Sequence, residues 1–306
     1  MAGSAVGALY DDQNDLLRLS SKSHVTLGRL DFSSDVAVLA DTSLSFSQDV
    51  LIQEGDWSTV TQAAYVQYDQ AETHVELVQL REQARMENLS ATPGSVVMME
   101  AREIDLGYDK ESLLLNNVIL LGNSEIKLAG LTPNAGEYIE AESIDISLGP
   151  DESSVTFLEA REDVEINSTG GDSGSVQQIS AGVMTSEGDG ARGLTKMEFM
   201  ENVEFRSLDL DDGDQRELVT KADRLEASLA GSLGHMESAR FTGHVRFFHG
   251  DTNGVARLMF YDITAGVVRL RSYGGEGEAP HITDPNVEIE AEEIDLALDG
   301  TGIKAK

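Results

Sequence analysis

Apolar and polar residues alternate along most of the chain with a period of two, the spacing of a strand that buries one face. The alternation breaks at a recurring place. In residues 287–298, Ile289 and Ala291 alternate with acidic residues, and the next apolar residue comes three positions later at Ile294. Alternation then resumes through Leu296 and Leu298. In a plain strand that step sends the second half of the apolar set to the solvent face. A β-bulge, or a bend across a corner, restores the facing. The pattern apolar-x-Ala-x-x-apolar-x-apolar therefore predicts a kinked strand, with alanine at the bend so that another backbone can come close.

The pattern recurs. Met99, Ala101, Ile104, Leu106 and Tyr108 carry it, as do Ile139, Ala141, Ile144, Ile146 and Leu148. So do Ile179, Ala181 and Met184; Ala222, Leu225, Ala227 and Leu229; and Ala256, Met259 and Tyr261. Ala63, Val66 and Tyr68 fit, as do Ala5, Ala8 and Tyr10, with Val38, Ala40, Leu44 and Phe46 a weaker copy lacking the offset. From Ala63 the anchor alanines stand roughly 34 to 41 residues apart, inside the range of repeat architectures.

A return strand follows each kinked one, with its own signature: a small or polar residue, then valine, an outward residue and a large apolar one. Asp163-Val-Glu-Ile166, Asn202-Val-Glu-Phe205 and His244-Val-Arg-Phe247 are examples, with looser forms at 24–27 and 117–120. Turn-forming residues lie between, at 12–15, 132–136, 149–152, 211–214 and 251–254. These are hairpin connections, so the sheet is expected to be antiparallel. Only 71–89, rich in Glu, Gln, Arg and Leu, reads equally as strand or short helix. The expectation is one continuous repeat-built β unit over 1–306, cut at both ends, with weak points near 91–94 and 131–136.

A net charge of -33, from 55 acidic and 22 basic residues, argues against nucleic acid and against electrostatic docking on an anionic membrane. It also suits a halophile-like surface. Apolar content of 40% supports a folded core rather than disorder. Cysteine is absent, so there is neither a disulfide framework nor a thiolate site. No apolar run approaches the ~20 residues of a membrane helix, and the first residues lack the basic and apolar regions of a signal peptide.

No catalytic constellation is visible. Gly171-Asp-Ser-Gly174 resembles the nucleophile loop of trypsin-like proteases, but tyrosine stands at 65 where the histidine base is needed. Residues 209–214 resemble a calcium loop with glycine one position early and no flanking helices. Loops are expected at 170–174, 187–190 and 274–277. The six histidines are scattered, with His244 and His249 facing opposite sides of one strand. Trp57 reads as a local anchor, and pairs such as Glu292 and Glu293 as solvated strand surface. No catalytic residue, metal or cofactor is assigned.

The kinked strand Ile289-Glu-Ala-Glu-Glu-Ile-Asp-Leu296, the return motif at 202–205 and the run Phe241 to Phe248 resemble the OstA-like repeat family. The periplasmic lipopolysaccharide-transport proteins are built from that repeat. The resemblance is clearest over 221–306, recognisable over 100–205 and diffuse before 91. It implies an all-β fold: an elongated, twisted antiparallel β-jellyroll, a folded-over sheet of kinked strands. It further implies a lipid-binding bridge of outer-membrane biogenesis whose interior shields acyl chains. The partners it implies are lipopolysaccharide or a related glycolipid, and other OstA-like jellyrolls or a second copy through edge-strand pairing.

On that reading the groove is lined by Met99, Ile104, Leu106, Ile139, Ile144, Ile146, Phe157, Phe199, Phe205, Leu225, Phe247, Met259, Ile289, Ile294 and Leu296. Arg240, Arg246, Arg257, Arg269 and Arg271 are candidates for a headgroup, since so acidic a chain repels lipid phosphates elsewhere. The same residues also fit a closed core. Two other readings stay open. One is a structural β-solenoid or adhesin-like surface protein with a dry interior; the other is an enzyme on a β-helix scaffold, which needs converging carboxylates.

Overall fold

The computed structural model describes residues 1–69, 74–92, 95–130, 136–169, 175–189, 193–209, 217–231, 236–272, 279–298 and 302–306. These form strands and turns only. The first strands are β1 (Ala2–Ser4), β2 (Gly7–Asp11), β3 (Leu16–Leu27), β4 (Leu30–Leu39), β5 (Ser43–Glu54), β6 (Trp57–Tyr68) and β7 (Val75–Asn88). The middle of the sheet holds β8 (Val96–Tyr108), β9 (Leu115–Ala129), β10 (Gly136–Leu148), β11 (Val155–Thr169) and β12 (Ser175–Asp189). Then come β13 (Gly193–Asp209), β14 (Glu217–Gly231), β15 (Met236–His249) and β16 (Thr252–Asp262). The last are β17 (Val267–Arg271), β18 (His281–Asp284), β19 (Val287–Glu290), β20 (Glu293–Ala297) and β21 (Ile303–Ala305).

All 21 belong to one sheet, and from β3 to β16 each strand pairs antiparallel with the next. The ambiguous stretch 71–89 is strand from Val75. Thr132–Ala135, 170–174, 211–214 and 274–277 lie outside the described residues, as does most of the calcium-like loop. Residues 187–189, expected as loop, instead close β12.

Each long strand is bent at its middle. On the alanine strands the inward residues step by three: Ala101 to Ile104, Ala141 to Ile144, Ala181 to Met184, Ala222 to Leu225. The extra residue itself sits on the partner strand. Between the pairs Arg161↔Val183 and Val164↔Ala181, two residues of β11 face one of β12. Both, Glu162 and Asp163, have left-handed φ of 62° and 54°. Such pairs recur on alternate strands at Ser21 and Lys22, Gln48 and Asp49, Glu82 and Gln83, Gly122 and Asn123, and Glu201 and Asn202; at Gly243 a single residue serves. The return signature is thereby explained at Asp163 and Asn202, where the polar residue before valine is the second left-handed one. Asp and Asn tolerate that region because a short polar side chain can bond locally.

Three of the expected copies sit differently. On β6 the step runs from Thr61 to Ala64, not from Ala63, and on β4 from Ser34 to Ala37, so serine and threonine hold the bend there. Both hydroxyls turn back on backbone, Thr61 to the Arg81 carbonyl at 2.7 Å. Ala8 and Tyr10 keep the register, opposite Leu19 and Leu17, but stand exposed on an outermost strand. The stretch 287–298 is split at its bend into β19 and β20, with Ile289 opposite Ile282 and Ile294 opposite Leu270.

The bends divide every long strand into a first arm, ending in turns such as 28–29, 55–56 and 250–251, and a second arm, ending in turns such as 40–42, 109–114 and 149–154. The arms pack face to face. Phe32 on the first arm stacks on Phe46 of the second at 4.6 Å, and Phe205 meets Phe241 and Tyr261 across the interior at 5.6 and 6.3 Å. With no second layer, the sheet covers its own apolar face. Within the first arm Gly254 makes room for the ring of its strand neighbour Phe247, since a Cβ there falls 1.9 Å from that buried ring.

Replacing Asp163 by glycine is expected to raise stability by a few tenths to 1 kcal/mol, and by valine to lower it by about 1–2 kcal/mol, because glycine alone escapes the cost of positive φ and a β-branched residue pays it most heavily. Urea midpoints of the two variants check this; equal midpoints sink the assignment of strain to the bend.

Candidate functional site

The interior between the arms is the candidate site. Met99, Ile139, Phe205 and Phe247 line it from the first arm, and Ile104, Leu106, Ile144, Ile146, Phe199, Leu225, Met259, Ile294 and Leu296 from the second, all buried. Ile289 is half-buried against them. These residues share one continuous apolar face. Most expose 0–1% of their surface, so the interior is filled by side chains.

Phe157 is placed differently. It points outward and is 37% exposed, while Val155 and Leu158 take the inward positions. The cause is a second register shift near the second-arm turns, where Ser147 pairs with Phe157 but Leu148 with Val155, leaving Thr156 extra. The same three-residue step opens the other return strands: Val75 to Val78, Leu115 to Val118, Leu194 to Met197, Met236 to Ala239. An apolar-x-x-apolar opening was readable in the sequence and is the signal that identifies these inward positions.

The five arginines do not converge. Arg240 and Arg269 flank Phe260 on neighbouring strands, pairing with it in register, with the Arg240 guanidinium 5.7 Å from the ring centre. They line a cavity of about 590 Å³ together with Glu198, Glu226 and Asp262. Arg246 and Arg257 line a separate one of about 150 Å³ beside His244. Arg271 pairs with Glu293 at 2.7 Å. All five sit on strands of the outer surface.

The bends join the arms along one side, and the opposite side is a seam between the two rows of turns. Toward the N-terminal end the seam is bridged. The Arg29 guanidinium donates to both Glu152 oxygens, at 3.0 and 2.5 Å, and to Glu54 at 2.6 Å. Tyr108 donates to the other Glu54 oxygen at 2.8 Å across the seam, and within the second row the Leu115 amide holds Glu152 at 2.8 Å. Beside them an isolated β-bridge pairs Ser95 with Ser154, with the Val96 amide 3.4 Å from the Ser153 carbonyl. Toward the C-terminal end, turns 250–251 and 285–286 face residues 296–298 and 302–303 across a cavity of about 530 Å³. Leu296, Leu298 and Ile303 give that mouth apolar walls, with Asp251, Thr252, Asp284 and Asn286 at its rim. The bridging residues went unremarked in the sequence, because partners as far apart as Arg29 and Glu152 carry no local pattern.

Burial pushes the Glu54 carboxyl above its usual range, against the pull of its bonds from Tyr108 and Arg29. The Tyr108 hydroxyl is held well above its ordinary value, by burial first and then by the Glu54 charge. Among the described residues no group of three or more His, Asp or Glu side chains is arranged to hold a metal. Among the same residues no helix is long and apolar enough to cross a membrane. No family model matches the chain, and no curated protein matches it.

The raised Glu54 value fixes a pH dependence. Arg29, Tyr108 and Glu152 face this carboxyl, and His74 and Asp56 line the adjoining cavities. A carboxyl raised by folding binds protons more tightly in the native state, so its favourable contribution is present below the ordinary carboxylate value and is lost as pH rises through the raised one. Relative to Glu54→Gln, the wild-type chain is expected to gain stability as pH falls from about 7 toward about 5. Urea unfolding of both across that range checks the sign; a gain in the opposite direction refutes it.

Proposed function

We propose that the chain is a non-catalytic bridge of the periplasm, an elongated β-jellyroll of the OstA-like type that carries an amphipathic glycolipid along its interior. Lipopolysaccharide, or a lipid like it, is the ligand this reading names. One observation carries it: the apolar face runs unbroken from arm to arm and strand to strand, while a seam of turns is the only closure on one side among the described residues. Arms joined at their bends can separate along the seam and admit an acyl chain between them, each buried methylene contributing about 0.8 kcal/mol. The polar head then stays at the seam. Energy for movement comes from elsewhere, and like proteins hand the lipid on by pairing with the outermost of the described strands, β1, β2 and β21.

A second reading has its own observation. Because Ile144, Phe199, Phe205 and Phe247 are at or near 0% exposure, the interior also suits a filled structural β-protein with no ligand at all.

A photo-crosslinking amino acid at Ile144 or Phe247 separates the two. In cells, the transport reading expects lipopolysaccharide adducts at both positions and none at the outward Tyr65. A folded protein that gives no lipid adduct at any interior position leaves the structural reading standing alone.

A further inference from the structure

The contacts across the seam are unevenly distributed, and this bears on how the interior is reached. Near the N-terminus a single guanidinium ties together two turns of the first row and one of the second: its own at 28–29, that at Glu54, and that at Glu152. Tyr108 ties the Glu54 turn to the second row again. Glu54 and Glu152 are largely buried, 13% and 21% exposed, whereas Arg29 is 47% exposed and open to solvent. The exposed cation therefore holds two carboxylates that water reaches poorly. Beneath it lie Leu27, Leu30, Val75 and Leu113 around a cavity of about 90 Å³, the first apolar space behind the seam. A second cavity of about 290 Å³ lies against the latch, lined by Arg29, Glu54, Ser95, Leu115 and Glu152. The C-terminal mouth, with Leu298 and Ile303 half-buried in its walls, opens on a larger one of about 530 Å³.

We propose that Arg29, Glu54, Tyr108 and Glu152 form a latch that holds the seam shut toward the N-terminal end, leaving the C-terminal mouth as the way into the interior. This assigns a regulation to the site of the proposed function, and its significance as a gate rests on that reading. The latch acts as a unit because Arg29 serves both carboxylates. Without the guanidinium, two poorly hydrated carboxylates face each other across the seam and drive it open. The Ser95–Ser154 bridge marks where the two rows of turns come within backbone reach, so it opens when they separate. Acid works with the latch on balance: burial of the Glu54 charge outweighs the pull of Tyr108 and Arg29, so its protonation relieves more than it gives up and the seam closes more firmly as pH falls.

The test needs no ligand. The Val96 amide, 3.4 Å from the Ser153 carbonyl across the seam, reports the latch by its hydrogen-exchange rate. Arg29→Ala is expected to speed exchange at Val96 about tenfold or more, with exchange at Phe205 and Met259 unchanged. An unchanged rate at Val96, or a rise shared equally with Phe205 and Met259, overturns the latch. Because the chain has no cysteine, Ser95→Cys with Ser154→Cys supplies a reversible staple, antiparallel bridge partners lying about 4.5–5.5 Å apart at Cα, within disulfide reach. In the Arg29→Ala background the oxidised staple is expected to restore slow exchange and reduction to abolish it; a staple without effect counts against the latch.

The uncharged dye N-phenyl-1-naphthylamine then tests the gate. Its uptake is expected to be faster in Arg29→Ala than in the wild-type chain and slowed again by the oxidised staple. Uptake equal in all forms refutes the gate and leaves the conduit intact. If no form takes up dye, the conduit reading falls, while the exchange rates still decide whether the latch exists.

Discussion

A single antiparallel sheet with one apolar face and no helix to cover it has to cover itself, and every other feature of this protein follows from how it does so. The device is the two-residue left-handed bulge on alternate strands, met by a three-residue inward step on the strands between. Neither half works alone. A bulge without the matching step turns the second arm's apolar residues to solvent; a step without the bulge leaves a register error. Because the pair repeats on successive strands, the bends align into one long corner and the arms close over a common interior. Each non-glycine residue held at positive φ costs of order 1–2 kcal/mol, which burial of Phe205, Phe241 and Tyr261 across the arms offsets.

How much of this is legible in the chain depends on the range of the interaction. The step from Ala101 to Ile104 and its relatives is local, and the antiparallel, kinked, all-β reading follows from it directly. Which strand holds the extra residue is less visible, because both partners show an interrupted alternation. The clue is the spacing of four between inward residues such as Ala160 and Val164, with Arg161, Glu162 and Asp163 all outward. Phe157 shows the limit of hydrophobicity as a guide: a large aromatic between two inward apolar residues looks like core, and only a bulge at Thr156 sends it out. Arg240 and Arg269 come together through the register of three strands, and Arg29 meets Glu152 only once the whole sheet has coiled.

The charge divides in a way the net value conceals. Most ion pairs join neighbouring strands on the outer face, such as Arg206 with Glu217, or Arg224 with Glu198. Pairs as exposed as these contribute about 0–1 kcal/mol each and are weakened by salt. They neutralise some of a surface that would otherwise repel itself across strands about 4.8 Å apart. The Arg29 cluster differs in kind: it crosses from one arm to the other, and its Glu54 carboxyl is buried enough that its protonation matters.

A filled interior and a lipid path are compatible on energetic grounds. When an acyl chain enters between the arms, apolar side chains exchange contacts with each other for contacts with the chain, and dispersion and burial are largely conserved. What is lost is specific to the seam: hydrogen bonds between turns, and the pairing of carboxylates that water hydrates poorly when the seam is shut. The barrier to entry is therefore set by polar contacts at the rim rather than by the apolar packing behind it. Glu54 and Tyr108 are already partnered and buried in the closed form, so opening there must rehydrate them, whereas the mouth at Leu298 and Ile303 has half-buried apolar walls. On the transport reading proposed above, the distribution of polar contacts along the seam, more than the size of the interior, sets where an apolar ligand would first meet the chain.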